Sequence, residues 1–255
     1  MIIKPIKTKK LFPPRDDLFS AIRAHVKKVS ERSVLAITSK VVSIHEARCV
    51  AISAISDKDS LIKTEANYYL PRNKKMPWAM HTILHNILIP TAGIDESNAN
   101  GFYILWPKDP KRSAKEIYKW TRKTYKVKDI GIVITDSHSI PLRRGVLGFA
   151  LSHYGFAPLN DYRGKRDLFG RAFHISQTNV ADGLASAAVV AMGEGAEQTP
   201  LALITDIPFV SFISKPKRSK KEFSSFEVPM KEDLYAPFFT RMKWRKGAPI
   251  QPINL

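Results

Sequence analysis

Apolar and polar residues alternate along this chain with two different periods. From Asp16 to Arg32 the apolar residues Leu18, Ile22, Val26 and Val29 recur every three or four positions with polar residues between them, which predicts an amphipathic helix. Val34 to Thr38 is a short apolar run, predicting a buried strand that leads into Ser39 and Lys40. After a polar turn, a second strand is predicted over Cys49 to Ile55, and a helix over Asp59 to Tyr69. Thr82 to Ile89 and Gly101 to Trp106 predict strands on either side of a loop from Gly93 to Asn98. Pro110 to Tyr125 predicts a basic, exposed helix, Ile130 to Thr135 a buried strand ending on Asp136 and Ser137, and Val146 to Leu151 another strand. Asn179 to Met192 predicts a helix whose small residues, Ala181, Gly183, Ala185, Ala187 and Ala188, let another backbone come close. Leu201 to Thr205 predicts a further strand, and the charged, Ser-rich stretch Lys215 to Glu227 a loop or sheet edge. There is no internal repeat. The fold class expected is mixed, α+β.

Composition narrows the class further. With 255 residues, 44% of them hydrophobic, the chain can bury a real core as one large domain or two modest ones. Thirteen Phe, eight Tyr and four Trp exclude general disorder. No apolar run approaches a membrane span, the N-terminus does not read as a signal peptide, and the single Cys49 cannot form an internal disulfide. A cytoplasmic protein is expected. The net charge of +18 favours anionic partners such as nucleotides and phosphorylated cofactors. Nucleic acid is a partner this charge permits, but the basic residues form separate clusters and no zinc-finger spacing, RNA-binding aromatic motif or P-loop accompanies them, so it is not favoured.

Four polar loops carry the candidate chemistry. The first, Gly93 to Asn98, offers Asp95 and Asn98 as hard oxygen ligands of the kind Mg²⁺ or Mn²⁺ accepts, or else a plain turn capped by Asp95 and Ser97. The second sets Asp136 and Ser137 at a strand end, followed by Arg143 and Arg144, a combination that can hold a metal and the phosphate it bridges, or can be a strand-end cap with an ion pair. The third, Asn160 to Arg171, mixes glycines, arginines and carboxylates and fits either an anionic substrate or a salt-bridged loop. The fourth runs from Met192 through Glu194 to Gln198. A carboxylate just past a helix C-terminus is disfavoured by the helix dipole and is better explained by a nearby cation, although Gly193 and Gly195 also simply end the helix. His81 and His85 have helical metal spacing but lack a third ligand and read as structural.

In their order and wording these loops resemble the GTP-dependent coenzyme F-420:γ-glutamyl ligases, the CofE family. The resemblance lies in Gly93 to Asn98, in Ile134 to Ser137 followed by Arg143 to Ala150, in Asp161 to Arg171, and in Val180 to Asp182 through Met192 to Gly195. It extends from about residue 7 to Tyr235, which implies a ligase domain over residues 1–235, as one unit or two subdomains, and a C-terminal extension over 236–255. It further implies an α+β fold with antiparallel sheets in an intertwined homodimer. The implied activity is addition of L-glutamate to a phosphorylated F-420 precursor through an acyl phosphate, with GTP and two divalent ions, Mg²⁺ or Mn²⁺, and K⁺ as a further candidate. The metal ligands it implies are Asp95, Asp136, Ser137 and Glu194, with Asp95, Asp136, Arg143 and Arg144 as the catalytic set. Nucleotide contacts would fall on Lys9, Lys10, Leu11, Phe12, Ser39, Lys40, Asn98, Gly193, Gly195, Ala196, Glu197 and Gln198. Where the family reads Ser-Lys-Ala-Glu-Gly, this chain has Ser43, Ile44, His45, Glu46 and Ala47, so the loop lysine is absent. That departure keeps open a same-fold ligase with another carboxylate acceptor, and the charge of +18 with the basic stretch Lys111 to Lys128 keeps open a catalytically weak nucleotide- or nucleic-acid-binding module.

Overall fold

The computed structural model describes residues 1–213 and 226–248. Strand β1 (Ile2–Ile6) is followed by helix α1 (Leu18–His25), strand β2 (Ser33–Thr38), helix α2 (Ser39–His45) and strand β3 (Cys49–Ala51). Helix α3 (Lys58–Glu65) and strand β4 (Tyr68–Tyr69) lead to β5 (His81–Leu84), β6 (Ile87–Pro90), β7 (Phe102–Ile104) and helix α4 (Pro110–Tyr125). Strands β8 (Ile130–His138), β9 (Leu147–Tyr154), β10 (Leu159–Asp161) and β11 (Gln177–Asn179) precede helix α5 (Val180–Met192) and β12 (Leu201–Thr205). The short α6 (Ala236–Phe239) and β13 (Arg245–Lys246) complete the described elements.

A five-stranded sheet in the order β1-β12-β2-β8-β9 forms the centre. Only β2 and β8 run parallel in it; the other pairs are antiparallel. These two strands are buried on both faces, which is why each reads as a continuous apolar run. Their side chains alternate between two cores. Leu35, Ile37, Ile130, Ile132 and Ile134 join α1 and α4 through Leu18, Ile22, Ile117 and Tyr118. Val34, Ala36 and Val133 join α5 through Ala181, Leu184, Ala185 and Ala188. A second sheet, β13-β4-β5-β6, and the pairs β3-β7 and β10-β11 complete the mixed architecture. Of residues 236–248, Arg245 and Lys246 join that second sheet through the pairing of β13 with β4. No helix among the described residues is long and apolar enough to cross a membrane.

The small-residue helix does permit a close approach. A Cβ on Gly148 of β9 would stand 2.6 Å from the Val189 Cβ and 2.9 Å from the Ala185 carbonyl oxygen of α5. Ser186 Oγ donates to the Gly148 carbonyl at 2.7 Å, and Asn179 caps the helix by accepting from Asp182 N at 3.0 Å.

Several expected boundaries move. Helix α1 begins after its N-cap Asp17, which accepts from Phe19 N at 3.0 Å, and ends at His25, although Val26 and Val29 stay buried beyond it. The strand expected over Thr82 to Ile89 is a hairpin, because His85 and Asn86 both take positive φ and turn the chain. The strand from Cys49 stops at Ala51 in a 3-10 turn, and the helix ending near Tyr69 stops at Glu65. The polar turn after Lys40 is helix α2, which buries Val41, Val42, Ser43 and Ile44. Helix α4 is basic outside, but Ala114, Ile117 and Tyr118 bury its other face. Most of the stretch Lys215 to Glu227 lies outside the described residues.

Candidate active site

The parallel pairing of β2 with β8 sets Thr38 beside Thr135, so the residues that follow them, Ser39 and Asp136, become neighbours. Ser39 Oγ donates to Asp136 Oδ2 at 2.9 Å. The period of two along β8 gives its end two addresses. Asp136 shares a face with Ile132 and Ile134, where the Trp106 indole N–H also donates to its Oδ2. Ser137 points to the α5 side, where its Oγ donates to Glu194 Oε2 at 3.2 Å. The register shift against β9 falls between Ile134 and Thr135, but its extra residue, Leu151, lies in β9, so the alternation along β8 runs unbroken into this pair.

The Gly93 to Asn98 loop reaches the same place by a different route. Gly93 has φ +67°, and a Cβ there would stand 2.2 Å from the Trp106 ring, so only glycine fits both the turn and the tryptophan. Backbone bonds from Asp95 N to Ile104 O, 3.0 Å, and from Ile104 N to Asp95 O, 2.8 Å, pin the loop to β7. Asp95 Oδ1 then accepts from Ser97 N at 2.8 Å and Ser97 Oγ at 2.9 Å, while Oδ2 meets Lys40 Nζ at 2.6 Å. Asn98 Nδ2 donates to the Gly195 carbonyl at 3.0 Å, tying this loop to the one after α5. The N-terminal segment joins through Thr8 N, which donates to Gln198 O at 2.9 Å.

The result is one cleft of about 530 Å³. Lys9 to Phe12, Ser39, Lys40, Asp95, Asn98, Asp136, Ser137 and Gly193 to Gln198 all line it, although they come from five distant parts of the chain. Arg143 and Arg144 do not. They sit on the exposed turn between β8 and β9, past the cleft edge, and are not part of its lining. The Asn160 to Arg171 stretch is likewise exposed and internally paired, with Arg163 to Asp161 at 2.6 Å. His85, half-buried against the Trp106 ring at 6.3 Å, plays the structural part expected of it, and burial holds its pKa below the usual value. Ile44 is buried with Ala99 and Ile104 and forms an apolar wall of the cleft where the resemblance led us to look for a lysine. One residue was missed from sequence. Trp106 both roofs Gly93 and donates to Asp136, and its only sequence signal is an indole N–H at a strand end that needs a partner. Ser97 closes the turn with Asp95 as the sequence allowed, and its hydroxyl also donates to the same carboxylate oxygen.

The two aspartates are held differently. Burial pushes the Asp136 carboxyl up to about 6, against the pull of Ser137 N, Ser39 and Trp106, and the nearby Asp95 charge adds to the rise. Burial also works to raise Asp95, but Lys40 and the Ser97 donors outweigh it, and the carboxyl lies below its ordinary value. A buried carboxylate without a cationic partner among the described residues, beside a second acid, a hydroxyl and Glu194, is a donor set fitted to a hard divalent ion. Among the described residues no three His, Cys, Asp or Glu side chains form a closed metal cage. An ion here would therefore be held by one or two carboxylates with hydroxyl, water and substrate phosphate oxygens, which is the manner of Mg²⁺.

The family model described as F-420-0:gamma-glutamyl ligase matches residues 6–206. The coenzyme F-420:L-glutamate ligase of Methanopyrus kandleri is 33% identical over 249 residues, covering 90% of this chain and 91% of that protein. The protein of the same name from Methanococcus maripaludis is 31% identical over 68% of this chain and 66% of its own length. That of Archaeoglobus fulgidus is 28% identical over 78% of this chain and 85% of its own. With the cleft, the loops that build it and a match over most of its length, this chain belongs to the F-420-0:gamma-glutamyl ligase family and is a ligase.

Proposed function

We propose that this protein is a GTP- and divalent-metal-dependent γ-glutamyl ligase that joins L-glutamate to a phosphorylated coenzyme F-420 precursor through an acyl phosphate. The observation that carries this reading is the convergence of Asp95, Asp136, Ser137 and Glu194 on one cleft rimmed by Lys9 and Lys10. In this chemistry the acceptor carboxylate attacks the γ-phosphorus and GDP leaves; the glutamate amine then attacks the acyl carbon, loses a proton, and inorganic phosphate leaves. Asp95 and Asp136 would hold one divalent ion, and Ser137 and Glu194 the other. Bound Mg²⁺ or Mn²⁺ would neutralise charge on the transferring phosphoryl group, the dominant contribution in such reactions. Lys9 and Lys10, which line the cleft, would meet the outer phosphates, and Trp106 and Ser39 would keep Asp136 oriented for its ion.

A cytoplasmic homodimer belongs to the same reading. Leu142, Leu168, Phe169, Ile175 and Val190 are each 80% or more exposed, and a partner surface that gathered them would remove this apolar area from water. A second copy with an interface well above ~1,000 Å² would cover it. The apolar wall at Ile44 favours one variation, a same-fold ligase whose acceptor differs from the F-420 precursor. The test is a mass-shift assay with GTP or ATP, L-glutamate, Mg²⁺ or Mn²⁺ and the F-420 precursor. Gain of one glutamyl residue with release of GDP is expected; no gain with either nucleotide would reject the ligase reading, and gain only on another acceptor would select the variation.

A further inference from the structure

Lys40 was expected from the resemblance to meet nucleotide phosphate. Its ammonium is instead engaged by three oxygens of the Asp95 loop: Asp95 Oδ2 at 2.6 Å, the Ser97 carbonyl at 2.9 Å and Ser97 Oγ at 3.3 Å. A carboxylate, a carbonyl and a hydroxyl are the ligand types of a hard cation. The other Asp95 oxygen is already taken by Ser97 N and Ser97 Oγ, so a divalent ion at Asp95 competes with Lys40 for the same atom. The lysine side chain is about one-quarter exposed and stands on a flexible four-carbon stem. Its backbone follows Ser39, which touches Asp136, so its reach stays within the cleft.

We propose that Lys40 is a resident counter-ion at the Asp95 cation position, displaced when a divalent ion binds and then free to meet an incoming polyphosphate. This inference rests on the reading above that Asp95 holds an ion. The two ligands are thereby linked: the ion binds weakly while Lys40 holds Asp95, and a polyphosphate that takes up the ammonium strengthens ion binding by the same factor that the ion strengthens polyphosphate binding. Lys40 is on this view a positioning residue whose removal helps one ligand and hinders the coupling. A merely structural lysine would do the reverse, because its loss would loosen the Asp95 loop and weaken the ion.

The experiment is a Mn²⁺ titration followed by electron paramagnetic resonance, with and without a non-hydrolysable GTP analogue. Wild type is compared with Lys40→Met, the milder Lys40→Gln, the charge-retaining Lys40→Arg and Asp95→Asn, each checked for fold by circular dichroism. Without nucleotide, Lys40→Met and Lys40→Gln should bind Mn²⁺ roughly twofold to fivefold tighter than wild type, the range of a partly exposed ion pair. Lys40→Arg should stay near wild type, Asp95→Asn should lose the site, and the gain on adding the analogue should shrink in the two neutral variants. If Asp95→Asn loses the site but the neutral variants bind Mn²⁺ no tighter than wild type, Lys40 is not the competitor and this inference falls while the metal reading stands. If Asp95→Asn binds as wild type does, the ion is not at Asp95 and both fall.

Discussion

Replacing Asp136 by asparagine should make the metal-free protein more stable. Burial pushes the carboxyl up to about 6 in the folded protein, whereas in the unfolded chain it returns to 3.8. Each unit of that difference is worth ~1.4 kcal/mol, so above pH 6 the ionised carboxylate costs the fold roughly 3 kcal/mol relative to its protonated form. The sign follows from proton uptake. Between pH 3.8 and about 6 the folded state binds the proton and the unfolded state does not, so stability from this group falls as pH rises through that window. An asparagine carries no charge at any pH. Its oxygen can keep the bonds from Ser39 Oγ and Trp106 Nε1, both of which go to one carboxylate oxygen. Its amide would then face Ser137 N, now bonded to the other oxygen at 2.7 Å, and two donors meeting there cost about 1 kcal/mol. The net gain at pH 7 is ~2 kcal/mol, or about 4–8 °C in Tm for a chain of this size. Thermal melts in chelator at several pH values between 4 and 7.5 would measure it. The wild-type profile is not diagnostic by itself, because the buried His153, held down to about 4, loses stability in the opposite direction as pH falls. The difference between variant and wild type isolates Asp136. A variant no more stable at pH 7, with a difference that stays flat from pH 4 to 7, would refute the burial argument.

Three further outcomes are expected. Trp106→Phe removes a hydrogen bond to a charged group and should cost roughly 1.5–3 kcal/mol at pH 7 in urea unfolding, while raising the Asp136 titration seen by carboxyl-resolved NMR; an unchanged Asp136 pKa would show that the indole does not act on it. Gly148→Ala forces a Cβ against Val189 and the Ala185 carbonyl and should lower stability by about 1–3 kcal/mol, whereas Gly183→Ala, whose Cβ meets nothing, should be neutral or stabilising. His153→Leu replaces an imidazole whose Nε2 lacks a hydrogen-bond partner among the described residues and whose pKa is lowered by burial, so the variant should hold its urea midpoint from pH 6.5 to 4 better than wild type does.

The parts of the fold that could be read from the chain are those whose pattern is decided by burial on both faces. Strands β2 and β8 are such runs, and α4 and α5 carry caps, Asp109 and Asn179, that mark their starts. Helix α2 was illegible because Thr38, Ser39 and Lys40 break the apolar run of β2 and the seven residues of the helix are too few to show a period, so only the buried surroundings decide for a helix. Strand β1 was missed for the opposite reason: it is an edge strand, partly exposed, with a proline and little alternation.

The candidate site divides along the same physical line. Which residue types could bind an ion was visible locally, because carboxylates and hydroxyls beside glycines have few uses. Which partner each would have was not, because partners are set by contacts between distant segments. Lys40 and Asp95 illustrate this: from sequence both pointed outward to ligands, but the loops put them on each other at 2.6 Å. Arg143 and Arg144 show the converse. Their place just after Asp136 and Ser137 argued for the cleft, yet a hairpin turn carries them beyond it, with Leu142 at a positive φ on the way. Adjacency along a strand behaves differently, since the pleat dictates it. Asp136 and Ser137 must face opposite sides of β8, so one end of one strand reaches Trp106 and Ser39 on one face and Glu194 on the other. A single-residue slip of β8 would exchange those partners, turning Ser137 toward the indole and Asp136 toward Glu194, two acids with no cation between them. The register of β8 against β2 is therefore as much a part of the site as the side chains that line it.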